Sequence, residues 1–282
     1  MSISNRQAGK LSGKIALVTG AGRGIGEAVA RKLAGEGARV LAVDLDPEPV
    51  EEAAASLRGA GHEVVAMTGD VAAPEFGSRA MAMVLETFGG LDILVNNAGY
   101  IWNTTIQNTT DQQWQAMLEV HASGPFRLLR AAAPYFREQS KRESGEERPR
   151  HRKVVNISSV SGTSGAATQV AYASAKAAVV GLTKTLAKEW GRYKVNVNCV
   201  AFGYIDTRLT QVWEGEAATI DVRGQRLKVG FDRRVAEAME PAIALGRKGT
   251  VEEAAGAVYL FCIPESDYIT GEVLVCGGGS RG

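Results

Sequence analysis

The chain has 282 residues, 45% hydrophobic and 22% charged, the composition of an ordinary globular protein with a sizeable core. A formal net charge of +1 gives no general reason to bind nucleic acid or a membrane surface, and Cys199, Cys262 and Cys276 are too few and too scattered for a disulfide framework or a metal knuckle. No apolar run approaches the ~20 residues of a membrane span and residues 1–10 hold no signal-peptide core, so the expectation is a cytoplasmic protein with a flexible N-terminus (1–10) and one α/β domain (11–282).

Residues 14–19 are a short β-rich apolar run that stops at glycine, the pattern of a buried parallel strand. Gly20, Gly24 and Gly26 follow with the spacing G-x-x-x-G-x-G, enclosing Arg23 and Ile25, and a helical period begins at Glu27. Glycines between a strand and a helix let backbone N–H groups approach a pyrophosphate at the positive helix end. Residues 38–43 read as a second strand ending in Asp44. That carboxylate is placed to accept from an adenosine ribose and to repel a 2′-phosphate, or else to serve the turn into a helix that opens at Asp46-Pro47. Arg23 pulls the other way, because a guanidinium in the glycine loop can pair with a 2′-phosphate. NAD(H) is favoured, with NADP(H) the alternative.

A helix over 48–59 leads to a strand over 63–68 and then to Asp70 and Val71, where Asp70 can receive the adenine amine or shape a turn. A helix over 78–88 precedes a strand over 91–95 and Asn96-Asn97-Ala98-Gly99, read as a tight hydrogen-bonded turn at the ligand-binding edge of the sheet. The β-α-β-α rhythm predicts a doubly wound parallel sheet.

Ser159 ends another apolar run, and Tyr172 and Lys176 follow it four residues apart, one helical turn on the same face. An ammonium beside a phenol favours the phenolate, so the spacing predicts a tyrosine pKa lowered from ~10 and a usable general acid or base. Ser159 is placed to hydrogen-bond the same substrate oxygen.

Taken together, Thr19-Gly-x-x-x-Gly-x-Gly26, Asn96-Asn-Ala-Gly99, Ser159 and Tyr172-x-x-x-Lys176 resemble the single-domain branch of the short-chain dehydrogenase/reductase family, over nearly the whole chain. Ala244-Leu-Gly-Arg247 and Tyr268-Ile-Thr-Gly-Glu272 resemble its 3-oxoacyl-(acyl carrier protein) reductases and 3-hydroxyacyl dehydrogenases. The resemblance implies a Rossmann-type, seven-stranded parallel sheet in a homotetramer or homodimer. It implies hydride transfer between a nicotinamide cofactor and an alcohol or ketone, with Ser159 polarising the carbonyl, Tyr172 exchanging the proton and Lys176 binding the nicotinamide ribose. Ile25, Val71, Asn97, Ala98, Gly99, Gly203, Ile205 and Thr207 join the cofactor positions by matching place, Thr207 as the partner of the carboxamide; no metal is implied.

Two positions depart from the family pattern. His121 stands where asparagine usually supports a proton-relay water behind the lysine. Pro125, four residues later, cannot donate to the His121 carbonyl, so the helix over 112–137 should kink and the freed carbonyl can hold that water, with the imidazole optional; a packed histidine without a role is the other reading. Phe202 replaces a proline before Gly203, beyond a strand over 195–200, and faces either the nicotinamide ring or the core.

Residues 137–153 hold seven Lys/Arg and four Glu without one large apolar side chain and read as an exposed, solvated insertion. Residues 208–241 fall where the family carries its substrate lid, and Arg223, Arg226, Lys228, Arg233 and Arg234 are candidates for a thioester phosphate, or plain surface charge. The small residues along 171–190 suit a two-fold partner, by analogy alone. The reading is an NAD(H)-dependent oxidoreductase acting on a 3-oxoacyl or 3-hydroxyacyl thioester or a similar ketone/alcohol pair. A steroid, sugar or other secondary-alcohol dehydrogenase is the same-fold alternative, and a non-catalytic NAD sensor the alternative of another class.

Overall fold

The computed structural model describes residues 9–145, 150–214, 217–222 and 224–280. Most of the expected N-terminal arm, the middle of the charged insertion and Arg223 lie outside them. The first half alternates strand and helix: β1 (Ile15–Thr19), α1 (Gly24–Gly35), β2 (Arg39–Asp44), α2 (Pro47–Gly59), β3 (Val64–Thr68), α3 (Phe76–Phe88), β4 (Ile93–Asn96) and α4 (Asp111–Leu118). α5 (Gly124–Arg142), β5 (Arg152–Ser159), the short α6 (Val160–Ser164), α7 (Val170–Trp190) and β6 (Val195–Phe202) complete the frame. Beyond it come β7 (Val212–Trp213), β8 (Ala218–Val222), β9 (Gln225–Val229), β10 (Phe231–Asp232), α8 (Arg233–Met239), α9 (Val251–Leu260) and β11 (Val273–Cys276).

The seven-stranded sheet runs β11-β6-β5-β4-β1-β2-β3, and every pairing in it is parallel. Successive residues of a strand point to opposite faces. Ala16 and Val18 of β1 therefore join one core with α1, α2 and α9, while Ile15 and Leu17 join the other with α3, α5 and α7. Both faces are covered, which is why β1 reads as a continuous apolar run. The helices contribute apolar residues at helical spacing, such as Val29, Ala30 and Leu33 of α1, or Leu128, Leu129, Ala132 and Phe136 of α5. Among the described residues no helix is long and apolar enough to cross a membrane, and no group of three His, Cys, Asp or Glu could hold a metal ion.

Three expectations are corrected. The 112–137 helix is two helices joined by a π turn, Glu119–Ser123, so Pro125 is accommodated near the start of α5 by a change of winding. β6 runs on to Phe202, which lies in the core and pairs with Ser159 of β5 and Cys276 of β11. The charged stretch 137–153 is not all solvated loop, because α5 continues to Arg142 and both Arg152 and Lys153 are buried at the start of β5. Burial is tolerated because each cation is partnered. Arg152 forks onto Glu143 (3.0 and 2.6 Å), and Lys153 meets Asp267 (2.7 Å), Asn196 and Ser266.

Residues 208–241 hold more order than their sequence promised. β8 and β9 form an antiparallel hairpin in which Ile220 faces Leu227 across the ladder. Ile220, Leu227 and Val229 are buried against Tyr100, Trp102 and Leu209, so the hairpin lies on the loop after β4.

The Arg152–Glu143 pair makes stability pH-dependent. The Arg152 guanidinium holds the Glu143 carboxyl below the usual glutamate range. A lowered folded pKa gives stabilisation that is complete above the unfolded value and disappears as pH falls through the folded one. Glu143→Gln should cost about 2 kcal/mol in urea unfolding at neutral pH and flatten the acid limb of the stability curve. An unchanged acid limb would mean that Arg152 does not depend on this carboxylate.

Candidate active site

The chain order reverses between β1 and β4, and a crevice opens at the carboxyl ends of these neighbouring strands. Thr19, the last residue of β1, clamps the two sides: its Oγ1 accepts from the backbone N–H groups of Asn97 and Ala98 (3.0 and 3.1 Å). The Asn97 side chain donates back to the carbonyls of Thr19 and Gly20 (3.0 and 3.2 Å). The Asn96-Asn97 pair is therefore a staple between strands rather than a self-contained tight turn. Asn96 points inward and donates to Asn156 of β5 at 2.8 Å.

A cavity of about 530 Å³ occupies the crevice. Every residue singled out as catalytic or cofactor-binding lines it, from Gly20 and Asp44 at one end to Ser159, Tyr172 and Lys176 at the other. Its floor fits a dinucleotide. A Cβ on Gly26 would sit 1.9 Å from the Gly20 carbonyl oxygen, so only glycine lets α1 start against that loop. Gly24 sits at φ +60, with the Thr207 methyl 4.0 Å from where a Cβ would be, and Arg23 makes no side-chain hydrogen bond to the first turn of α1, whose N–H groups remain for an anion. Asp44 accepts from Gly22 N (2.8 Å) and Asp46 N (3.2 Å), so it serves the loop and the helix turn as well as facing the cavity. Arg23 is paired with Asp46 at 3.0 Å. Asp70 shapes its own turn by accepting from Ala72 N at 2.9 Å, and Thr207 caps a short helical turn with Thr210.

At the other end β5 delivers Ser159 and α7 delivers Tyr172 and Lys176, all three buried. Ser159 Oγ accepts from Ser161 N (3.2 Å) and lies 3.4 Å from the Phe202 carbonyl oxygen. Lys176 Nζ donates to the Ile157 carbonyl of β5 at 2.8 Å and stands 5.7 Å from the Tyr172 ring centre. Burial dominates both titrations. It pushes the Tyr172 phenol up to about 12 against the pull of a hydrogen bond with Ser159, and it pushes Lys176 down to about 8. The expected lowering of the phenol by its lysine neighbour is thus overturned by desolvation. Tyr172 keeps its proton at neutral pH.

His121, on the π turn, is 2% exposed and packs edge-on against Tyr172, ring centres 5.1 Å apart. Its Nε2 donates to the Tyr100 carbonyl at 2.7 Å. Burial first and the Lys176 charge second hold its pKa well below the usual histidine range, so the ring is neutral and Nδ1 is left as an acceptor with no partner among the described residues.

The comparisons with known proteins fit this geometry. The profile of the family described as short chain dehydrogenase matches residues 14–217. The chain belongs to the short-chain dehydrogenase/reductase family. It is 37% identical to the short-chain reductase protein NovJ of Streptomyces niveus, over 94% of this chain and 93% of that one. It is 36% identical to the 3-oxoacyl-[acyl-carrier-protein] reductase FabG of Vibrio cholerae, over 95% and 98% of the two chains. A crystal structure of a short-chain type dehydrogenase/reductase from Mycobacterium marinum superposes with a TM-score of 0.80 at 29% identity, covering 96% of each chain. The protein is therefore an oxidoreductase of a family whose members use NAD(P)(H).

Sequence reasoning missed Tyr100 and Gln169 of this short-chain dehydrogenase cavity, and placed Arg208, Ile220 and Phe231 only within the lid stretch. Gln169 caps the start of α7, three residues before Tyr172. The hairpin carries an alternation in sequence, Ile220 and Val222 on one strand and Leu227 and Val229 on the other, with Ile220 opposite Leu227.

Gly99 owes its identity to His121, because a Cβ there would sit 2.2 Å from the imidazole Cε1. Gly99→Ala should lower stability by about 1–3 kcal/mol through overpacking, roughly 2–10 °C in Tm. His121→Ala in the same chain should restore part of that loss. Strictly additive losses in calorimetry of the four variants would place the ring away from Gly99.

Proposed function

We propose that this protein transfers hydride between NAD(H) and the carbonyl of a 3-oxoacyl thioester or the matching 3-hydroxyacyl alcohol. The observation that carries the reading is the buried phenol of Tyr172 beside Ser159 in a cavity that also holds the glycine loop. A nicotinamide cofactor, when bound, supplies or accepts the hydride.

Tyr172 gives its proton to the carbonyl oxygen as that oxygen gains charge, and takes it back in the alcohol direction. Ser159 holds the same oxygen by hydrogen bonding. Lys176 spends one of its three N–H donors on Ile157 and keeps two for ribose hydroxyls. Its charge, present below pH about 8, favours the phenolate left after proton donation. The proton is resupplied by water reaching Lys176, with the His121 imidazole optional. The His121 ring braces Tyr172 and holds the Tyr100 carbonyl.

NAD(H) is preferred to NADP(H) because the Asp44 carboxylate faces the adenosine end of the cavity, while the Arg23 charge is neutralised by Asp46. Asp44 has spent two of about four acceptor sites on its own loop, which leaves capacity for ribose hydroxyls. The thioester substrate is supported by the FabG relatives and by the apolar lid surface; the charged lid residues Arg226, Lys228, Arg233 and Arg234 suit its phosphate. A cytoplasmic homotetramer or homodimer completes the reading, on family analogy.

The test is the initial rate of NADH and NADPH oxidation with acetoacetyl-CoA, for the wild type and Tyr172→Phe. The reading predicts turnover with NADH preferred, and a loss of at least a hundredfold in the variant, the scale of a general acid's contribution. Preference for NADPH would show that Arg23 outweighs Asp44. Binding of NADH without turnover of any ketone would favour a sensor.

A further inference from the structure

We propose that the Ser280 hydroxyl binds substrate, donating a hydrogen bond to the thioester carbonyl of a 3-oxoacyl group while the ketone two carbons away is reduced. The proposal rests on the oxidoreductase reading above and assigns the residue that tells a 3-oxoacyl thioester from a plain ketone. Ser280 follows β11 and the run Gly277-Gly278-Gly279, glycines that take no part in the cofactor floor. That run is a fitted turn. Gly278 and Gly279 both sit in the left-handed region, at φ +61 and +76. A Cβ on Gly278 would meet Ile243 Cγ2 at 2.8 Å, and one on Gly279 would meet Ala244 Cβ at 2.8 Å. The backbone is tied on both sides. Gly203 N donates to the Cys276 carbonyl, Leu245 N to the Gly278 carbonyl and Ser280 N to the Gly277 carbonyl, each at 3.0 Å. The turn is thus pinned between the end of β6 and the segment that follows the lid.

The turn carries Ser280 into the wall of the cavity. Its hydroxyl packs against bare backbone: a Cβ on Gly203 or Gly277 would lie 3.3 or 2.9 Å from Oγ. Gly203 directly follows Phe202, whose carbonyl oxygen is 3.4 Å from Ser159 Oγ. Two serine hydroxyls therefore stand at consecutive residues of one strand end, Ser159 at Phe202 and Ser280 at Gly203. Thr207 lies farther along, over Gly24 of the cofactor floor. Ser280 Oγ is buried and has no hydrogen-bond partner among the described residues. Buried polar atoms are nearly always paired, and an unpaired hydroxyl in the wall of a ligand cavity is a place for a ligand's polar atom. The side chains of Phe202, Ile205, Ala242 and Ile243, in the same wall, are apolar. A 3-oxoacyl thioester carries two carbonyl acceptors separated by one carbon, and adjacent hydroxyl donors suit it: Ser159 for the ketone, Ser280 for the thioester.

The test compares acetoacetyl-CoA with S-(3-oxobutyl)-CoA, which has a methylene in place of the thioester carbonyl and is otherwise the same molecule. For wild type and Ser280→Ala, kcat/KM is measured with NADH, and Kd by calorimetry in the presence of NAD+, which cannot reduce either ketone. The loss of one hydrogen bond predicts that Ser280→Ala weakens acetoacetyl-CoA about fivefold by both measures and S-(3-oxobutyl)-CoA by less than about twofold. A hydroxyl that only shapes the C-terminal turn would weaken both ketones alike. Equal losses for the two, no loss for either, a loss confined to the binding of NADH, or no binding of either ketone would overturn the proposal. If the Kd values show the difference while neither ketone is turned over, Ser280 stands as a binding residue and the oxidoreductase reading loses its support.

Discussion

Desolvation of Tyr172 and Lys176 is the constraint on which the chemistry of this protein depends. Both side chains are drawn out of water by the contact of α7 with β5, and that contact is built from polar bonds as well as apolar packing. Ser158 donates to the Lys176 carbonyl at 2.8 Å, and Lys176 returns a bond to Ile157. Gly162 lets α6 close over the same place, since a Cβ there would meet the Lys176 backbone at 2.7 Å. A charged lysine and a phenolate are both weakened in such surroundings. The site therefore waits with a neutral phenol, the state a carbonyl reduction needs.

A second thread joins this end of the cavity to the glycine loop. Asn96 of β4 donates to Asn156 of β5, and Asn156 donates in turn to Thr183 of α7 (3.0 Å). At the neighbouring strand end the Thr19 hydroxyl and the Asn97 amide tie β4 to β1. Buried polar groups in a satisfied network fix geometry more narrowly than apolar packing does. Here they set the distance from the α1 N-terminus to the Tyr172 phenol, the two ends of the proposed site.

The frame was legible in sequence because its signals are local. A continuous apolar strand stopping at Gly20 and a helical period from Glu27 need no tertiary knowledge, and Ser159, Tyr172 and Lys176 announced themselves by spacing. What escaped depended on the surroundings. The ammonium beside Tyr172 argued for a lowered phenol pKa, and only the extent of burial reversed the direction. Arg152 and Lys153 read as surface charge because their partners, Glu143 and Asp267, lie 9 and 114 residues away in sequence. The π turn at His121 left no composition of its own. The β8–β9 hairpin carried a readable alternation, masked by the charges that fill its outward positions.

The central claim is that burial, and not the lysine, sets the protonation of Tyr172. It is met most directly by an NMR titration of protein labelled with carbon-13 at tyrosine Cζ, with Tyr172→Phe to assign the signal. The account predicts a Tyr172 resonance at the neutral-phenol position up to about pH 10, beyond the midpoint of an ordinary tyrosine. A midpoint between about pH 7 and 8 would contradict it and restore the lysine-stabilised phenolate as the resting state.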